Sequence, residues 1–424
     1  MDLVKTDVVI VGAGGGGAVL GLALAQQGVQ ALVLEQAPGP PAGLRGEIIQ
    51  PNGQQILDRL GLLRRLPENG VRSVRRFHFY RVGGERLCSV DYGTLPPPYN
   101  QALVTLPNVA HHVILDALEA QAPGCLWYGT RFKGLQLEGR RVRGVIAERA
   151  GRDIDISAKL VVGADGALSN VRKALPIRAD VLLYKEGYLI SLLDNPDDTN
   201  EARYFVGRRT ILGTFPAARG RLYLFYMIPA NSMAQIQTAG LDALRSRWLA
   251  IDPTLDKVVG NLVDWNQTAY MPTGRVRTST WVADGAVLIG DAAHAMNPHA
   301  SQGRMQAMMD AMVLADLIPG WLERGDWSAA SLRPYERQRR PQVEMLQRMA
   351  DEQVLFWNTG NPLLAFLRDR VFRTLDHNKR LRFQMLLATA GLRATPPLGP
   401  VDRLIAAGFL PDPWADQRPP ELST

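Results

Sequence analysis

The sequence predicts an α/β protein with a Rossmann-like nucleotide-binding domain, an inserted and mainly antiparallel β-sheet domain, and C-terminal helices. Three observations support this fold class. A β-branched run leads into a glycine-rich turn near the N-terminus, the middle of the chain alternates apolar and polar residues, and its last part has helical patterning. A chain of 424 residues is long enough for two or three domains. The apolar fraction of 46% and the charged fraction of 21% are typical of globular proteins.

The first element is a strand, glycine turn and helix. Val8 to Val11 form a β-branched run that suits a parallel strand buried on both faces. The following glycines fit G-x-G-x-x-G, which allows a tight turn, a close approach of backbone to a pyrophosphate, and packing of the helix on the strand. Glu35 ends the next strand, where its carboxylate can bind a ribose diol and would repel a 2′-phosphate. The pattern predicts FAD or NAD, bound by Gly12, Gly14, Gly15, Gly17 and Glu35.

The apolar stretch 8–34 is predicted to be this buried unit, although it carries no charge. Glycines interrupt it, and Asp2 and Asp7 do not fit the basic start of a secretion signal. Cys88 and Cys125 are too few for a disulfide framework and lack metal-ligand spacing. We therefore expect a cytoplasmic protein without a structural metal.

Two later stretches also run from an apolar strand into an acidic turn. "LVVGADGALSNVRKAL" (160–175) reaches Asp165, with Arg172 on the next turn. "VLIGDAAHAMNPHASQG" (287–303) reaches Asp291 and then bends through Pro298. An NAD-dependent dehydrogenase would carry its catalytic residues soon after the first nucleotide unit, so these stretches favour further pieces of one cofactor cradle.

In this order the three motifs resemble the flavoprotein monooxygenases of the para-hydroxybenzoate hydroxylase type, over roughly residues 5–345. The resemblance implies a glutathione-reductase type FAD-binding domain with FAD as cofactor and NAD(P)H and O2 as co-substrates. NAD(P)H would reduce FAD, O2 would add to give a C4a-hydroperoxyflavin, and one oxygen would pass to an electron-rich carbon. The chain has one G-x-G-x-x-G, so NAD(P)H is expected to bind transiently, without a domain of its own.

The resemblance also implies roles for individual residues. Asp291 would bind the ribityl chain, and backbone N–H groups from Pro298 to Gly303 would face the pyrimidine edge of the flavin. Asp165 would lie near the pyrophosphate and the path of the nicotinamide, with its loop held by Arg172. The remaining expected contacts are Arg45 to the FAD phosphates, backbone at Phe132 to the adenine, and His111 near the flavin.

The segment "PHASQGRM" departs from the family pattern P-x-x-G-Q-G-x-N in two places. Ser301 replaces a glycine and Met305 replaces an asparagine. The backbone role survives both changes, but a side-chain bond from position 305 to the flavin ring is lost. His111 stands where relatives commonly carry arginine or glutamine, and it either takes over that contact or has no role.

The predicted domains are discontinuous. The strand patterning of "YLISLL", "RYFVGRR" and "RLYLFYMIP" indicates a sheet over a pocket, with half of its apolar residues in a back-face core. Residues 1–72, 98–178 and 269–345 are assigned to the FAD-binding domain, 73–97 and 179–268 to the substrate-binding sheet, and 346–424 to C-terminal helices with a proline-rich tail.

The expected reaction is hydroxylation or epoxidation of an apolar, electron-rich ring: aromatic, quinolone or quinone-like, with or without a prenyl group. Secondary-metabolite or quinone biosynthesis follows only by analogy. No catalytic side chain is assigned, because the flavin carries the chemistry. His112, His294 and Tyr226 are acid–base candidates, and each also has a purely structural interpretation.

Three other functions remain open from the sequence: a flavin-dependent reductase of isoprenoid double bonds, a non-catalytic flavin-binding scaffold, and a halogenase. The halogenase is disfavoured because the chain lacks a W-x-W-x-I-P stretch. Residues 361–393 hold seven basic against two acidic side chains, which indicates either a solvated helical face or weak peripheral membrane contact. No nucleic-acid-binding module is present, so no nucleic-acid partner is expected.

Overall fold

The computed structural model describes residues 3–44, 47–197 and 201–417. No helix in these ranges is both long and apolar enough to cross a membrane. The strands are β1 (Leu3–Val11), β2 (Ala31–Leu34), β3 (Glu47–Ile49), β4 (Val71–Val74), β5 (Arg76–Arg81), β6 (Arg86–Asp91), β7 (Ala102–Thr105), β8 (Leu126–Trp127), β9 (Thr130–Glu138), β10 (Arg141–Arg149), β11 (Arg152–Gly163), β12 (Ala179–Asp194), β13 (Ala202–Val206), β14 (Ile211–Ala217), β15 (Arg221–Pro229), β16 (Thr268–Thr278), β17 (Val282–Ala283) and β18 (Ala286–Leu288).

The α-helices cover both the strand connections and the end of the chain. They are α1 (Gly15–Gln26), α2 (Pro51–Arg59), α3 (Val109–Gln121), α4 (Asn170–Ala174), α5 (Met233–Ala239), α6 (Leu241–Ile251), α7 (Asp256–Val259), α8 (Asp291–His294), α9 (Gly303–Arg324), α10 (Ala329–Trp357), α11 (Pro362–His377), α12 (Lys379–Thr389) and α13 (Pro400–Ala406).

The first sheet carries the N-terminal glycine turn and has the order β17-β18-β11-β1-β2-β8. Strands β18, β11, β1, β2 and β8 run parallel, and β9 and β10 extend β11 in antiparallel fashion. Val8, Val9 and Ile10 are fully buried, as expected for a strand covered on both faces. Val11, Gly163 and Leu288 are register partners, so the turns that follow β1, β11 and β18 meet at one edge of the sheet.

The second sheet has the order β16-β12-β15-β14-β13-β5-β6, and only the β13–β5 pair is parallel. Both of its faces are buried. Tyr188 and Ile190 of β12 face a core that includes Phe372 of α11, whereas Leu189 packs with Trp248 of α6 on the other side. The alternation in residues 179–268 therefore separates two apolar cores rather than a core from solvent.

Strand β16 differs from the predicted division of the chain at residue 269. It pairs with β12 along Ala179–Leu183 and Gly187–Ser191, so residues 269–278 belong to the second sheet and not to the nucleotide-binding unit. After β16 the chain passes directly into β17 and β18 of the first sheet. The remaining predicted boundaries stay predictions.

The C-terminal helices close one face of the second sheet, since Phe372 and Leu381 share a core with β12. The proline-rich tail is tied to this layer up to the last described residue. Asp412 accepts hydrogen bonds from Asn378 Nδ2 at 2.7 Å and Arg380 Nε at 3.0 Å. The tail is therefore draped over α12 through residue 417.

Candidate active site

A cavity of about 670 Å³ runs between the two large sheets. One end is bordered by the glycine turn and Glu35, and the middle by Asp291 and the start of α9. The other end reaches Tyr188 and Tyr204 of the second sheet. An elongated space of this kind suits a ligand with one end in a nucleotide site and the other under the sheet.

The glycine turn allows unusually close packing. Gly12 has φ 104°, and a Cβ there would lie 2.5 Å from the carbonyl oxygen of Ala164. A Cβ on Gly17 would lie 1.9 Å from the carbonyl oxygen of Gly12. A Cβ on Gly14 would instead meet nothing within 4 Å, and Gly14 and Gly15 border the cavity. The turn thus offers backbone and the N-terminus of α1 to a phosphate group.

Arg304 is a cation beside this turn that the sequence analysis did not single out. A Cβ on Gly15 would lie 2.8 Å from Arg304 Cγ, and the arginine borders the cavity. It contacts His111, whose Nδ1 lies 3.2 Å from an Arg304 guanidinium nitrogen. A cation in the first turn of a helix opposes the helix dipole, and that conflict is the signal that could have identified Arg304.

Glu35 lies where the ribose ligand was expected, at the end of β2 in the cavity wall. Its Oε2 accepts a hydrogen bond from the Ala13 N–H at 2.9 Å, and its Oε1 accepts one from the Ala37 N–H at 2.9 Å. Each oxygen keeps a second lone pair. The carboxylate is therefore fixed beside the glycine turn and can still accept hydroxyl donors.

Asp165 itself does not border the cavity, and its expected cofactor contact stays a prediction. Its carboxylate accepts hydrogen bonds from the Asn170 N–H at 2.7 Å and the Val171 N–H at 3.1 Å. It therefore caps α4 and shapes the loop, whose residues Ala164 and Gly166 do border the cavity.

Arg172 holds this loop against the next one. It donates to the carbonyl oxygens of Ala167 and Ala292, each at 2.7 Å. Because Ala292 follows Asp291, the arginine fixes the spacing between the turns after β11 and β18.

Asp291 borders the cavity beside the start of α9. Within the described part of the chain its carboxylate takes part in no hydrogen bond or ion pair, and it caps no helix end. The preceding Gly290 has φ 57°, and a Cβ there would lie 2.7 Å from Ala307 Cβ. A tight turn thus presents to the cavity an acceptor that has no donor among the described residues, which suits a hydroxylated ligand chain.

A buried charge network supports this turn from behind. Asp310 of α9 is fully buried and accepts hydrogen bonds from the Gly290 N–H at 2.9 Å and Arg339 Nε at 2.8 Å. His294 Nε2 lies 2.6 Å from the same carboxylate. Burial alone raises the pKa of Asp310, but the charges of His294 and Arg339 outweigh it, so its pKa lies below the ordinary value.

The segment from Pro298 to Gly303 forms a short 3-10 turn followed by the start of α9. Pro298, Ser301 and Gly303 all border the cavity. Ser301 has φ 53°, a left-handed conformation that favours glycine. Gln302 is fully buried behind the segment and donates to the Thr389 carbonyl oxygen at 2.7 Å.

The expected contacts of Phe132 with the adenine and of Arg45 with the phosphates stay predictions. Phe132 of β9 pairs with Ala147 and packs against the core of the first sheet, and it does not border the cavity. Tyr128, which precedes that strand, does border it. Arg45 lies outside the described residues.

The acid–base candidates from the sequence do not border the cavity either. His112 Nε2 contacts the Pro41 carbonyl oxygen at 3.0 Å, His294 pairs with Asp310, and Tyr226 lies in the back-face core. Sequence reasoning missed His299, which follows Pro298 and borders the cavity.

His299 forms a neutral pair with Tyr188. Its Nδ1 lies 3.3 Å from the Tyr188 hydroxyl, and its Nε2 lies 3.1 Å from Asn358 Oδ1. Burial lowers the pKa of His299 to about 4, so the ring is neutral at pH 7. Burial also raises the pKa of Tyr188 well above its ordinary value, so its hydroxyl keeps its proton and donates to the histidine.

These features fit FAD. The glycine turn admits a pyrophosphate, Glu35 can take a ribose diol, and the Asp291 carboxylate is open to a hydroxylated chain. The segment after Pro298 begins a 22-residue helix whose first N–H groups have no partner within that helix. Together these groups follow the length of an extended dinucleotide.

Comparison with known proteins agrees with this fit. The profile of the family described as "FAD binding domain" matches residues 5–350. The 6-methylpretetramide 4-monooxygenase of Streptomyces rimosus is 31% identical over 355 residues, covering 82% of this chain and 83% of that protein. Squalene epoxidase 5 of Arabidopsis thaliana is 25% identical over 318 residues, covering 74% and 61%. The structure of p-nitrophenol 4-monooxygenase PnpA from Pseudomonas putida DLL-E4 has a TM-score of 0.79 at 20% identity, covering 92% and 99%, a likeness in fold.

Proposed function

This chain belongs to the FAD-dependent aromatic hydroxylase family of the para-hydroxybenzoate hydroxylase type, and we propose that its substrate is an apolar, fused-ring or quinone-like compound. It is an FAD-dependent monooxygenase with NAD(P)H as reductant. The observation that carries the substrate proposal is the far end of the cavity, where Tyr188, Tyr204, Phe215, Phe225 and Met271 form an apolar, aromatic wall.

We assign the cofactor contacts as proposals. Gly14 and Gly15 would face the pyrophosphate, Glu35 the ribose, and Asp291 the ribityl chain. Backbone groups of Pro298, Ser301 and Gly303 would meet the flavin edge. Arg304 and His111 would add positive charge and a donor near the phosphates.

Bound FAD supplies the oxygen-activating chemistry, and the protein provides position and environment. The apolar wall on the substrate side of the cavity suits contact with an apolar ring. At pH 7 the neutral His299 adds no charge there, and Tyr188 holds its own proton on the phenol oxygen. A ring carbon placed beside His299 and Tyr188 would therefore meet neutral side chains there.

The substrate class is supported by two further considerations. The Streptomyces rimosus relative is named for 6-methylpretetramide and the Arabidopsis thaliana relative for squalene. A cavity with mixed aromatic and aliphatic walls suits an apolar ring system, with or without a prenyl or alkyl group. We propose hydroxylation or epoxidation of such a ring, in secondary-metabolite or quinone biosynthesis.

The test uses the purified, FAD-loaded protein. Fused-ring phenols and quinones are screened for faster NAD(P)H oxidation, O2 uptake, and a product heavier by one oxygen atom. A reductase of isoprenoid double bonds would instead turn over without O2 and add two hydrogens. A scaffold would show NAD(P)H oxidation that no ligand accelerates, and either result would contradict the proposal.

The cofactor assignment has a separate test in Asp291→Ala. Loss of a hydrogen bond to a charged group costs about 1.5–3 kcal/mol, or roughly 10- to 100-fold in FAD affinity. The control is Asp316→Ala, which removes an exposed carboxylate of α9 paired with Arg59. Equal FAD dissociation constants for both variants, measured by flavin fluorescence, would refute the role of Asp291.

We also propose a cytoplasmic location and at most weak contact with a membrane surface. Much of the basic charge of the C-terminal helices is neutralised within the protein. Arg373 pairs with Glu85 at 2.8 Å, and Lys379 pairs with Asp416 at 2.9 Å. Cosedimentation with phosphatidylcholine vesicles, with and without phosphatidylglycerol, tests this: strong binding that requires the anionic lipid would contradict it. Exposed apolar side chains in the C-terminal segment include Leu363, Phe366, Phe409, Leu410 and Trp414.

A further inference from the structure

Strand β12 has a free edge along its first half. Its residues Ala179–Leu183 pair with β16, but β15 pairs with β12 only from Glu186 onward. The last bond on the β15 side runs from the Ala230 N–H to the Lys185 carbonyl oxygen at 2.7 Å. Within the described ranges no strand pairs with residues 178–184 on that side. This part of the sheet therefore ends in an open edge.

The hydrogen-bond pattern shows which backbone groups the open edge presents. The Ser279 N–H donates to the Arg178 carbonyl oxygen at 2.9 Å, so residue 178 points its backbone groups toward β16. Because hydrogen-bonded pairs alternate along an antiparallel ladder, the N–H and C=O groups of Ala179, Val181 and Leu183 point away from β16. These three residues present a row of backbone donors and acceptors at the open edge.

The side chains along this edge are apolar and exposed. Val181 is 46% exposed, Leu182 41% and Leu183 71%. Strand β9 pairs only with β10 among the described strands, but it carries exposed charges such as Lys133 and Glu138, which protect an edge against pairing. Residues 181–183 carry no such charge. An open edge with apolar side chains is a template for another strand.

We propose that two copies of this chain pair through the open edges of β12 and form a dimer. A twofold axis places one surface against itself, so the assembly closes at two copies. The centre of the open edge is Val181. This residue therefore faces its own equivalent in an antiparallel pair, and Ala179 faces Leu183 on either side of it. Each of the three pairs exchanges two backbone hydrogen bonds, about six in total.

Charge complementarity favours a second copy over another occupant. In the antiparallel pair, Arg178 of one copy lies diagonally across from Glu186 of the other on the same face of the sheet, within reach of long side chains. The neighbouring Asp180 is already paired with Arg275 at 2.9 Å. Among the described residues, Arg178 and Glu186 form no salt bridge within their own chain. The dimer provides each of them with an opposite charge.

The second copy would also cover part of the opening of the active-site cavity. Val181, Leu182 and Leu183 border that cavity, together with the exposed Leu168 of the turn after β11. The paired strand lies along this rim and shields its apolar side chains from water. The dimer does not depend on the proposed function, because it is built from groups of β12 and from no ligand.

The first test is the mass of the purified, full-length protein in sedimentation equilibrium. We expect wild type to have twice the 46.7 kDa mass of the chain. Val181→Pro should be monomeric, because proline removes the central outward N–H and leaves the bonds to β16 in place. The matched control is Leu137→Lys at the edge of β9, where the leucine is 60% exposed, and this variant should remain dimeric.

Two charged variants test the predicted register. Val181→Lys and Val181→Glu each place like charges directly opposite each other, so each variant alone should be monomeric. An equimolar mixture of the two should regain the dimer mass, because the opposite charges attract. Arg178→Glu should weaken dimerisation by about tenfold, and the double variant Arg178→Glu/Glu186→Arg should restore it.

Hydrogen exchange of the edge amides gives an independent measurement. The N–H groups of Ala179, Val181 and Leu183 should exchange slowly in wild type and rapidly in Val181→Lys. Circular dichroism shows whether each variant folds, and if Val181→Pro does not, the two charged variants decide. A dimer that persists in both charged variants would overturn the proposal. A wild-type chain that stays monomeric, including one whose edge binds lipid vesicles or an extended peptide instead, would also overturn it.

Discussion

The cofactor end and the substrate end of the large cavity are built from different chemical groups. At the cofactor end, the turns that follow β1, β11 and β18 meet at one edge of the sheet, and Gly12 lets the first turn pack closely against Ala164 in the second. At the substrate end, side chains form the wall, and Tyr188, Tyr204 and His299 reach it from separate elements.

Because of this difference, the two ends should tolerate different kinds of amino-acid substitution. A backbone site depends on a few residues with special conformations and on buried groups that hold the turns in place, so single changes should be severe. A side-chain wall depends on volume and shape, so conservative changes should alter which ligand binds and leave the fold intact. The four experiments below test this contrast, starting with the largest expected effect.

Removing the buried carboxylate in Asp310→Ala should have the largest effect. The change leaves His294 and Arg339 buried without their counter-charge, and breaking a buried pair costs about 3–5 kcal/mol. The free energy of unfolding is measured by urea denaturation, with Asp316→Ala in the same helix as control. That exposed pair with Arg59 should contribute at most about 1 kcal/mol.

The Asp310 effect should also depend on pH. Its pKa is lowered in the folded protein, so its stabilising contribution is present above the unfolded pKa of about 4 and is lost as the pH falls below it. The difference between wild type and Asp310→Ala should therefore shrink in acid. If the difference in unfolding free energy between the two proteins grew in acid, the ionised Asp310 carboxylate would not be the group that stabilises the Gly290–Asp291 turn.

Gly17→Ala and Gly14→Ala should separate packing from ligand approach within one motif. A Cβ at position 17 meets the Gly12 carbonyl oxygen, and overpacking of this kind costs about 1–3 kcal/mol or more. A Cβ at position 14 points into open space, so stability should change by less than about 1 kcal/mol while FAD affinity falls. Calorimetry and FAD titration of both variants measure the two effects. Equal losses of stability in the two variants would contradict the assignment of Gly17 to packing and of Gly14 to ligand approach.

His299→Gln tests the substrate end through its pH dependence. The folded ring takes up a proton only near pH 4, whereas the unfolded ring does so near 6.5. Wild-type stability should therefore fall as the pH decreases between these values, by on the order of 1 kcal/mol per pH unit at most. Denaturation curves at pH 7, 5.5 and 4.5 should show a shallower fall for His299→Gln. Parallel curves would mean that the histidine is charged in the folded protein.

Ser301→Gly should have the smallest effect. A non-glycine residue in the left-handed region costs about 1 kcal/mol, and glycine removes that cost. We expect a gain in unfolding free energy of up to about 1 kcal/mol, with Ser301→Ala as a control that keeps the strained conformation. A loss of stability in Ser301→Gly would show that the Ser301 hydroxyl stabilises the fold by more than the left-handed backbone destabilises it.

Most of the cofactor end was predictable, and the reasons are local. Each strand and the turn after it are continuous in sequence. The apolar stretches before Gly12, Asp165 and Asp291 therefore identified the carboxyl ends of three strands. The meeting of those tips followed from family resemblance, and the register of β1, β11 and β18 now accounts for it. The role of Asp165 was less predictable, because a carboxylate after a strand can face a ligand or cap the next helix.

Most of the substrate end could not be predicted from the sequence. His299 has no local pattern that distinguishes it from a surface histidine, and its neutral state depends on burial beside Tyr188 and Asn358. Trp357 and Phe372 lie in helices whose apolar residues could have faced several neighbours. Their meeting with Phe79 required the packing of α10 and α11 on the second sheet.

By itself, the order of residues determined the parts of this protein that depend on backbone conformation. Glycines, β-branched runs and turn acids act on their immediate neighbours, and their effects can be read within about thirty residues of chain, the length of a βαβ unit. Only the tertiary structure decided the packing of Phe79 with Trp357 and Phe372, the pairing of the C-terminal charges and the buried state of Asp310. These properties arise from contacts between distant segments, and no segment carries them alone.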